Sequence, residues 1–175
     1  MNNELVYEVN EDGKITNNKI SKKEAHKKGI CHMVSALALI DKKGRLLIQK
    51  RSIKKFSEPG KWDISSAGHV GIDELPIDTA IRETKEEIGV SINKNEIELI
   101  DTFLIKKQFD NGDYINHYTY FYMVNKDIDI NSIKMQRQEV DDVIFVNKKE
   151  FIKLIKDNMM VEAINHCKKI FDYMK

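Results

Sequence analysis

Residues 76–88 constrain this chain more than any other segment, because they carry a complete local code for an α-helix. Pro76 suits a first helical turn, where its missing N–H would have no partner, and Gly89 suits the left-handed position just past the last turn. Between them Ile77, Ala80, Ile81, Thr84 and Ile88 recur at helical spacing and predict an inward stripe. A rotation of about 100° per residue sets Glu83, Glu86 and Glu87 together on another face. Neighbouring carboxylates at this spacing cost a helix about a few tenths of a kcal/mol per pair. They also lie toward the helix C-terminus, where the dipole disfavours anions. A bound cation removes that cost, and hard oxygen donors suit Mg²⁺, with Mn²⁺ as the alternative. Such an ion keeps waters, takes substrate phosphates and lowers the pKa of a bound water, which is what cleavage of a diphosphate requires. Arg82, four residues before Glu86, is placed to brace the acids or touch the phosphates. An acidic helix face alone is ordinarily solvated surface, so its surroundings decide its meaning.

Those surroundings read as strands with few helices. Residues 5–9 form a short strand before an Asp12-Gly13 turn, and Ser21 with Glu24 is a capping-box pattern opening a short helix that Gly29 ends. Residues 32–40 are nearly all apolar and predict a buried strand, joined by the turn at 41–44 to a partner at 45–51. A short strand lies within 63–70. Two more strands, 97–107 and 114–124, flank the Asp110-Asn111-Gly112-Asp113 hairpin turn, and another covers 143–146. Helices are expected over 148–155 and 162–174. The pattern predicts an α/β/α sandwich, a mixed sheet with helices on both faces. One domain of 175 residues is expected, its core at about 30–157, with an N-terminal strand and turn (1–29) and a C-terminal helix (158–175) packed on it.

A net charge of +1 gives no electrostatic footprint for nucleic acid, and none is expected as a partner. The polar start has no secretory pattern, and no apolar run approaches the ~18 residues that span a bilayer. A cytoplasmic protein with no membrane partner is expected, its Cys31 and Cys167 free thiols.

The helix sits inside a longer pattern. From Gly68 to Val90 the chain follows Gly-x5-Glu-x7-Arg-Glu-U-x-Glu-Glu-x-Gly-U, where U is bulky and aliphatic, with Gly68, Glu74, Arg82, Glu83, Glu86, Glu87 and Gly89 at the fixed positions. Only Thr84 departs, at a U position, and it is β-branched and can still face the core. This segment resembles the signature of the Nudix family. The resemblance implies a loop-helix-loop on an α/β/α sandwich, a divalent metal, and hydrolysis of a nucleoside diphosphate linked to another moiety. It implies that Glu83, Glu86 and Glu87 bind metal or position water, that the Gly68 carbonyl is a metal ligand, that Glu74 supports the loop, and that Arg82 braces the acids. A homodimer is common in the family.

Beyond the signature, Gly44-Arg-Leu-Leu-Ile-Gln-Lys-Arg-Ser52 and Pro59-Gly-Lys-Trp-Asp-Ile-Ser-Ser-Ala-Gly-His69 resemble the isopentenyl-diphosphate isomerase branch, over about residues 5–150. Those isomerases carry a catalytic cysteine just before the Gly-His pair, where this chain has Ala67, and alanine transfers no proton. They also bind a metal through histidines resembling His26, His32 and His69, although His26 and His32 here lie one residue closer together. A hydrolase on an isomerase-like scaffold is therefore preferred. The alternatives are isomerisation of a five-carbon diphosphate and a non-catalytic nucleotide sensor.

Further candidates follow from position. Glu139, on a loop before a strand, is a candidate base or extra ligand. Arg51, at a strand end, and His69 are candidates for the substrate phosphates, with Lys50 and Lys61 weaker. Phe56, Tyr118 and Tyr120 are candidates to stack on a base; Trp62 is read as core. His117 and His166 are read as structural.

Overall fold

The structure is a computed structural model that describes residues 4–55 and 57–175. Its strands form one mixed sheet: β1 (Leu5–Val9), β2 (Ile15–Ser21), β3 (His32–Ile40), β4 (Leu46–Arg51), β5 (Trp62–Asp63), β6 (Ser66–His69), β7 (Ile97–Gln108), β8 (Tyr114–Asn125) and β9 (Val140–Val146). The α-helices are α1 (Lys22–Lys28), α2 (Pro76–Ile88) and α3 (Lys148–Lys156).

β3 is the axis, buried along its whole length. It runs parallel to β8 from the His32–His117 pair to the Ile40–Asn125 pair. Its other edge is shared by antiparallel partners: β1 at His32, β6 over residues 34–37, and β4 at Leu39 and Ile40. Both faces of β3 are covered, so its sequence is continuously apolar instead of alternating. Leu37 and Leu39 pack with Ala80 and Ile88 of α2 on one face. Ala36, Ala38 and Ile40 pack with Phe151 of α3 and with Ile164, Cys167 and Ile170 on the other. This is the expected sandwich, and its consequence for the site is that α2 lies across β3 and β6.

Several elements differ from the sequence reading. β2 has no counterpart in it: the strand Ile-Thr-Asn-Asn-Lys-Ile-Ser is mostly exposed, and a ribbon wet on both sides leaves no apolar alternation to detect. The expected C-terminal helix is instead a pair of short 3₁₀-helices, Glu162–His166 and Lys168–Asp172. The buried Ile164, Cys167 and Ile170 recur every third residue, the spacing that a 3₁₀-helix stacks on one line and an α-helix does not. β9 begins at Val140, three residues earlier than expected. Ser21 caps α1 by accepting from the Glu24 amide at 3.2 Å, but the Glu24 carboxylate pairs with Lys28 at 2.6 Å, so only half of the capping box forms.

Cys31 and Cys167 are buried and free, as expected. Among the described residues no helix is long and apolar enough to cross a membrane.

Candidate active site

The acid-bearing end of α2 is fixed by backbone bonds from outside the helix. Gly89 adopts φ 73° and returns its N–H to the Lys85 carbonyl at 3.1 Å. The carbonyls of Glu87 and Ile88, which a free helix end would leave unpaired, accept from Gln136 and Lys134 at 2.9 and 3.1 Å. The segment that carries Glu139 is thereby tied to the helix that carries the other acids.

α2 is also tied to β6. Thr84 is fully buried, and its hydroxyl donates to the Ala80 carbonyl at 2.7 Å. The Ser66 hydroxyl lies 2.6 Å from Thr84 Oγ1 and so donates to it. The one departure from the aliphatic pattern thus faces the core, with its polar atom paired.

Arg82 is the hub of the acids. Its Nε and Nη2 reach Glu74 at 2.8 and 3.0 Å, its Nη1 reaches Glu83 at 2.7 Å and Glu86 at 3.1 Å, and Nη2 approaches the His69 carbonyl at 3.4 Å. A planar guanidinium with five donors can serve three carboxylates at once. The hydrogen bonds that Arg82 donates to Glu74, followed by the charge of Glu83, hold the Arg82 cation firmly protonated. Burial opposes ionisation of Glu74, but hydrogen bonds from Arg82 and the Gly71 amide outweigh it and hold its carboxyl below the ordinary range.

The three glutamates of the signature occupy three environments. The Glu86 side chain is half exposed and that of Glu83 is 13% exposed. Glu87, placed by helical spacing on an acidic outer face, is instead 3% exposed. Its Oε2 accepts from Gln49 Nε2 at 2.8 Å and from the Ala67 amide at 3.1 Å. Burial pushes its carboxyl up to about 8, against the pull of those hydrogen bonds. Burial also raises Glu83, partly offset by Arg82. Oε1 of Glu83 and Oε2 of Glu86 and Glu87 take the contacts with protein; among the described residues the opposite oxygen of each has no hydrogen-bond partner.

Gly68 closes the site. A Cβ on it would lie 2.0 Å from the Glu83 carboxyl carbon and 2.1 Å from its Oε1. The requirement for glycine here is therefore steric: the backbone of β6 touches the carboxylate.

The other candidates disperse. Glu139 forms an ion pair with Lys55, whose charge holds the carboxyl below the ordinary range although burial opposes this, and its own charge reaches Glu83. Arg51 is committed locally: Nη1 pairs with Asp63 at 3.1 Å, while Nε and Nη2 donate to the Ser57 carbonyl at 3.1 and 2.9 Å. Phosphate contact would require those bonds to be given up. Lys50 lies over the Trp62 ring, Lys61 meets Asn158 and Glu58, and Trp62 is core as read. Tyr118 closes on the Gly13 turn and donates to Thr102, and Tyr120 packs against the core on the α2 side. Phe56 lies outside the described residues.

The His69 ring lies among other imidazoles instead of among the acids. His26, His32, His69 and His117 form one set with ring centroids 4.7–5.4 Å apart. His117, read as structural from the sequence, belongs to it because the parallel register places it opposite His32. No linear spacing encodes that pairing. His166 stacks on Phe103, in keeping with a structural role. Burial lowers His32 to about 4 and drives His69 and His117 well below the ordinary imidazole value.

A NUDIX domain family model matches residues 32–163. The chain belongs to the Nudix family, whose hydrolases act on pyrophosphate-containing substrates and generally use a divalent ion. It is 30% identical over 142 residues to an uncharacterized Nudix hydrolase of Listeria innocua, covering 81% of this chain and 79% of that one. It is 34% identical over 132 residues to Nudix hydrolase 3 of Arabidopsis thaliana, spanning 73% of this chain but 17% of the plant protein. An isopentenyl-diphosphate Delta-isomerase of Streptomyces coelicolor is 36% identical over 88 residues, 50% of this chain and 45% of that enzyme. In fold the chain is similar to DR0079 from Deinococcus radiodurans, with a TM-score of 0.76 at 17% identity over 98% of this chain and all of the other.

Proposed function

We propose that this protein is a Mg²⁺-dependent hydrolase that cleaves the diphosphate linkage of a nucleoside diphosphate derivative or a related small molecule. One observation carries the reading: Arg82 gathers Glu74, Glu83 and Glu86 against the Gly68 backbone, with Glu87 buried behind them. The donor set fits a hard ion, since three carboxylates each keep an oxygen free of protein partners among the described residues. Glu83, Glu86, Glu87 and the Gly68 carbonyl would hold Mg²⁺, with Mn²⁺ as a substitute. When bound, the ion supplies charge neutralisation of the diphosphate and acidification of water.

The remaining work falls to the chain's own side chains. Arg82 orients Glu83 and Glu86, and Glu74 anchors Arg82. Gln49 and the Ala67 amide fix Glu87, whose buried carboxyl ionises readily only when a cation compensates it. Glu139 is the candidate base that takes the proton of water, held ready and ionised by Lys55. Isomerisation of a five-carbon diphosphate needs two acid–base groups, and Ala67 supplies none at the position where the isomerases carry cysteine. Water attack does not need that group.

Purified protein with Mg²⁺ is expected to release phosphate or a nucleoside monophosphate from at least one member of a panel of sugar nucleotides, dinucleoside polyphosphates, oxidised nucleotides and NADH. Glu86→Gln should lower kcat/KM by more than about a hundredfold, beyond the loss usual for a residue outside the ligand set. Undiminished turnover in that variant overturns the mechanism. Conversion of isopentenyl diphosphate to its allylic isomer, without hydrolysis of any diphosphate, overturns the reaction type.

A further inference from the structure

We propose that His26, His32, His69 and His117 together bind one first-row transition ion of the zinc and cobalt class through four imidazole nitrogens, at a site separate from the carboxylates. The resemblance to isomerases touches three of these histidines. The fourth ligand, and with it an all-nitrogen site, comes from the pairing of β3 with β8.

The hydrogen bonds settle which nitrogens are available. His26 Nδ1 meets the Tyr114 carbonyl at 2.8 Å, and His32 Nδ1 meets the Ile30 carbonyl at 2.8 Å. A carbonyl only accepts, so both Nδ1 atoms carry the proton and both Nε2 atoms present a lone pair. Backbone carbonyls fixing the tautomer in this way are the usual outer support of metal-binding histidines.

Those lone pairs lack partners. Nε2 of His32 and Nε2 of His117 are buried without a hydrogen bond among the described residues, and His32 has no exposed surface. His26 Nε2 faces His69 Nε2 at 3.2 Å. A proton on His69 would satisfy that one contact and leave the other two nitrogens unpaired; a single cation satisfies all four. One nitrogen from each ring lies within 4.8 Å of every other. Metal–nitrogen bonds of about 2.0–2.1 Å give a tetrahedral edge of about 3.3–3.4 Å. The 3.2 Å contact is already at that length, and small ring rotations bring in the rest.

The donor chemistry selects the ion. Neutral imidazoles suit zinc and its first-row neighbours, whereas Mg²⁺ prefers oxygen. Lys22, whose charge reaches this set, is itself paired with Glu4 at 3.2 Å. Four protein ligands from α1, β3, β6 and β8 leave no open position, the mark of a structural site. Its effect extends to the carboxylates, because His69 follows Gly68 and its carbonyl lies 3.4 Å from Arg82 Nη2. An ion here pins the strand end against which Glu83 rests.

The test uses tag-free full-length protein, stripped with chelator and titrated with Co²⁺, and it needs no substrate, so it stands or fails independently of the hydrolase assignment. One cobalt per chain is expected, with visible d–d bands of a four-coordinate nitrogen site, displacement by equimolar Zn²⁺ and a rise in Tm. His117→Ala and His26→Ala should abolish the bands, and Glu86→Gln should keep them. The His26 variant changes a half-buried residue of a short outer helix, so it decides the matter if the His117 variant does not fold. Absence of the bands, their survival in His26→Ala, or their loss in Glu86→Gln overturns the proposal.

Discussion

The carboxyl carbon of Glu83 occupies space that a β-carbon on Gly68 would enter at 2.0 Å. Gly68→Ala must therefore push Glu83 away from a position that Arg82 pins at 2.7 Å. Glu83 ends in a flexible side chain, so the fold can absorb the change while the site cannot. Mn²⁺ affinity and turnover are each expected to fall about 10- to 100-fold, the range seen when the support of a metal ligand is removed. Calorimetric titration with Mn²⁺, beside a thermal melt, checks this; unchanged affinity would show that the contact has no consequence for the ion.

Arg82→Lys keeps the charge and removes the fork. A lysine ammonium cannot reach Glu74, Glu83 and Glu86 in their present places. A loss of about 1–3 kcal/mol in urea unfolding is expected, from charged hydrogen bonds left unmade. Turnover should fall with it, because two of the carboxylates lose their orientation. Wild-type stability and kcat in this variant would rule out the bracing role.

Glu87 makes the metal-free protein sensitive to pH in a defined direction. Its carboxyl titrates near 8 in the fold against an ordinary value of 4.5. Between those values the native state holds a proton that the unfolded chain has released, so the contribution of Glu87 to stability falls as pH rises through that window. Below about pH 6.5 the buried His32, His69 and His117 act in the opposite sense, because the unfolded imidazoles hold protons that the fold excludes. Thermal melts in chelator from about pH 7 to about pH 8 should therefore show the decline, and Glu87→Gln should flatten it. Parallel curves for the two proteins would mean that another group is responsible.

The Ser66–Thr84 hydroxyl pair joins β6 to α2. Thr84→Val keeps the shape but leaves the buried Ser66 hydroxyl without its acceptor, and about 1 kcal/mol of stability should be lost. Adding Ser66→Ala removes the stranded group, so the double variant should cost less than the sum of the single changes. Strict additivity in the unfolding free energies would show the two hydroxyls to be uncoupled.

What could be read in the chain was what depends on near neighbours. Pro76 and Gly89 bound α2, and the spacing of Glu83, Glu86 and Glu87 is a property of one helix. The continuous apolar run of β3 and the Asp110-Asn111-Gly112-Asp113 turn are equally local. What escaped depended on contacts between distant segments. Helical spacing sets the direction in which Glu87 leaves α2, but the arrival of Gln49 and the Ala67 amide decides that it is buried. Arg51 was legible as a strand-end cation, and only the fold supplied Asp63 and Ser57 as its partners. His117 joins the other imidazoles because β8 runs parallel to β3 in one particular register. A local pattern acts through the geometry of a single helix or turn and is written in residue spacing. Sheet pairing and burial are chosen by the packing of the whole chain, where residues 85 positions apart, such as His32 and His117, become neighbours.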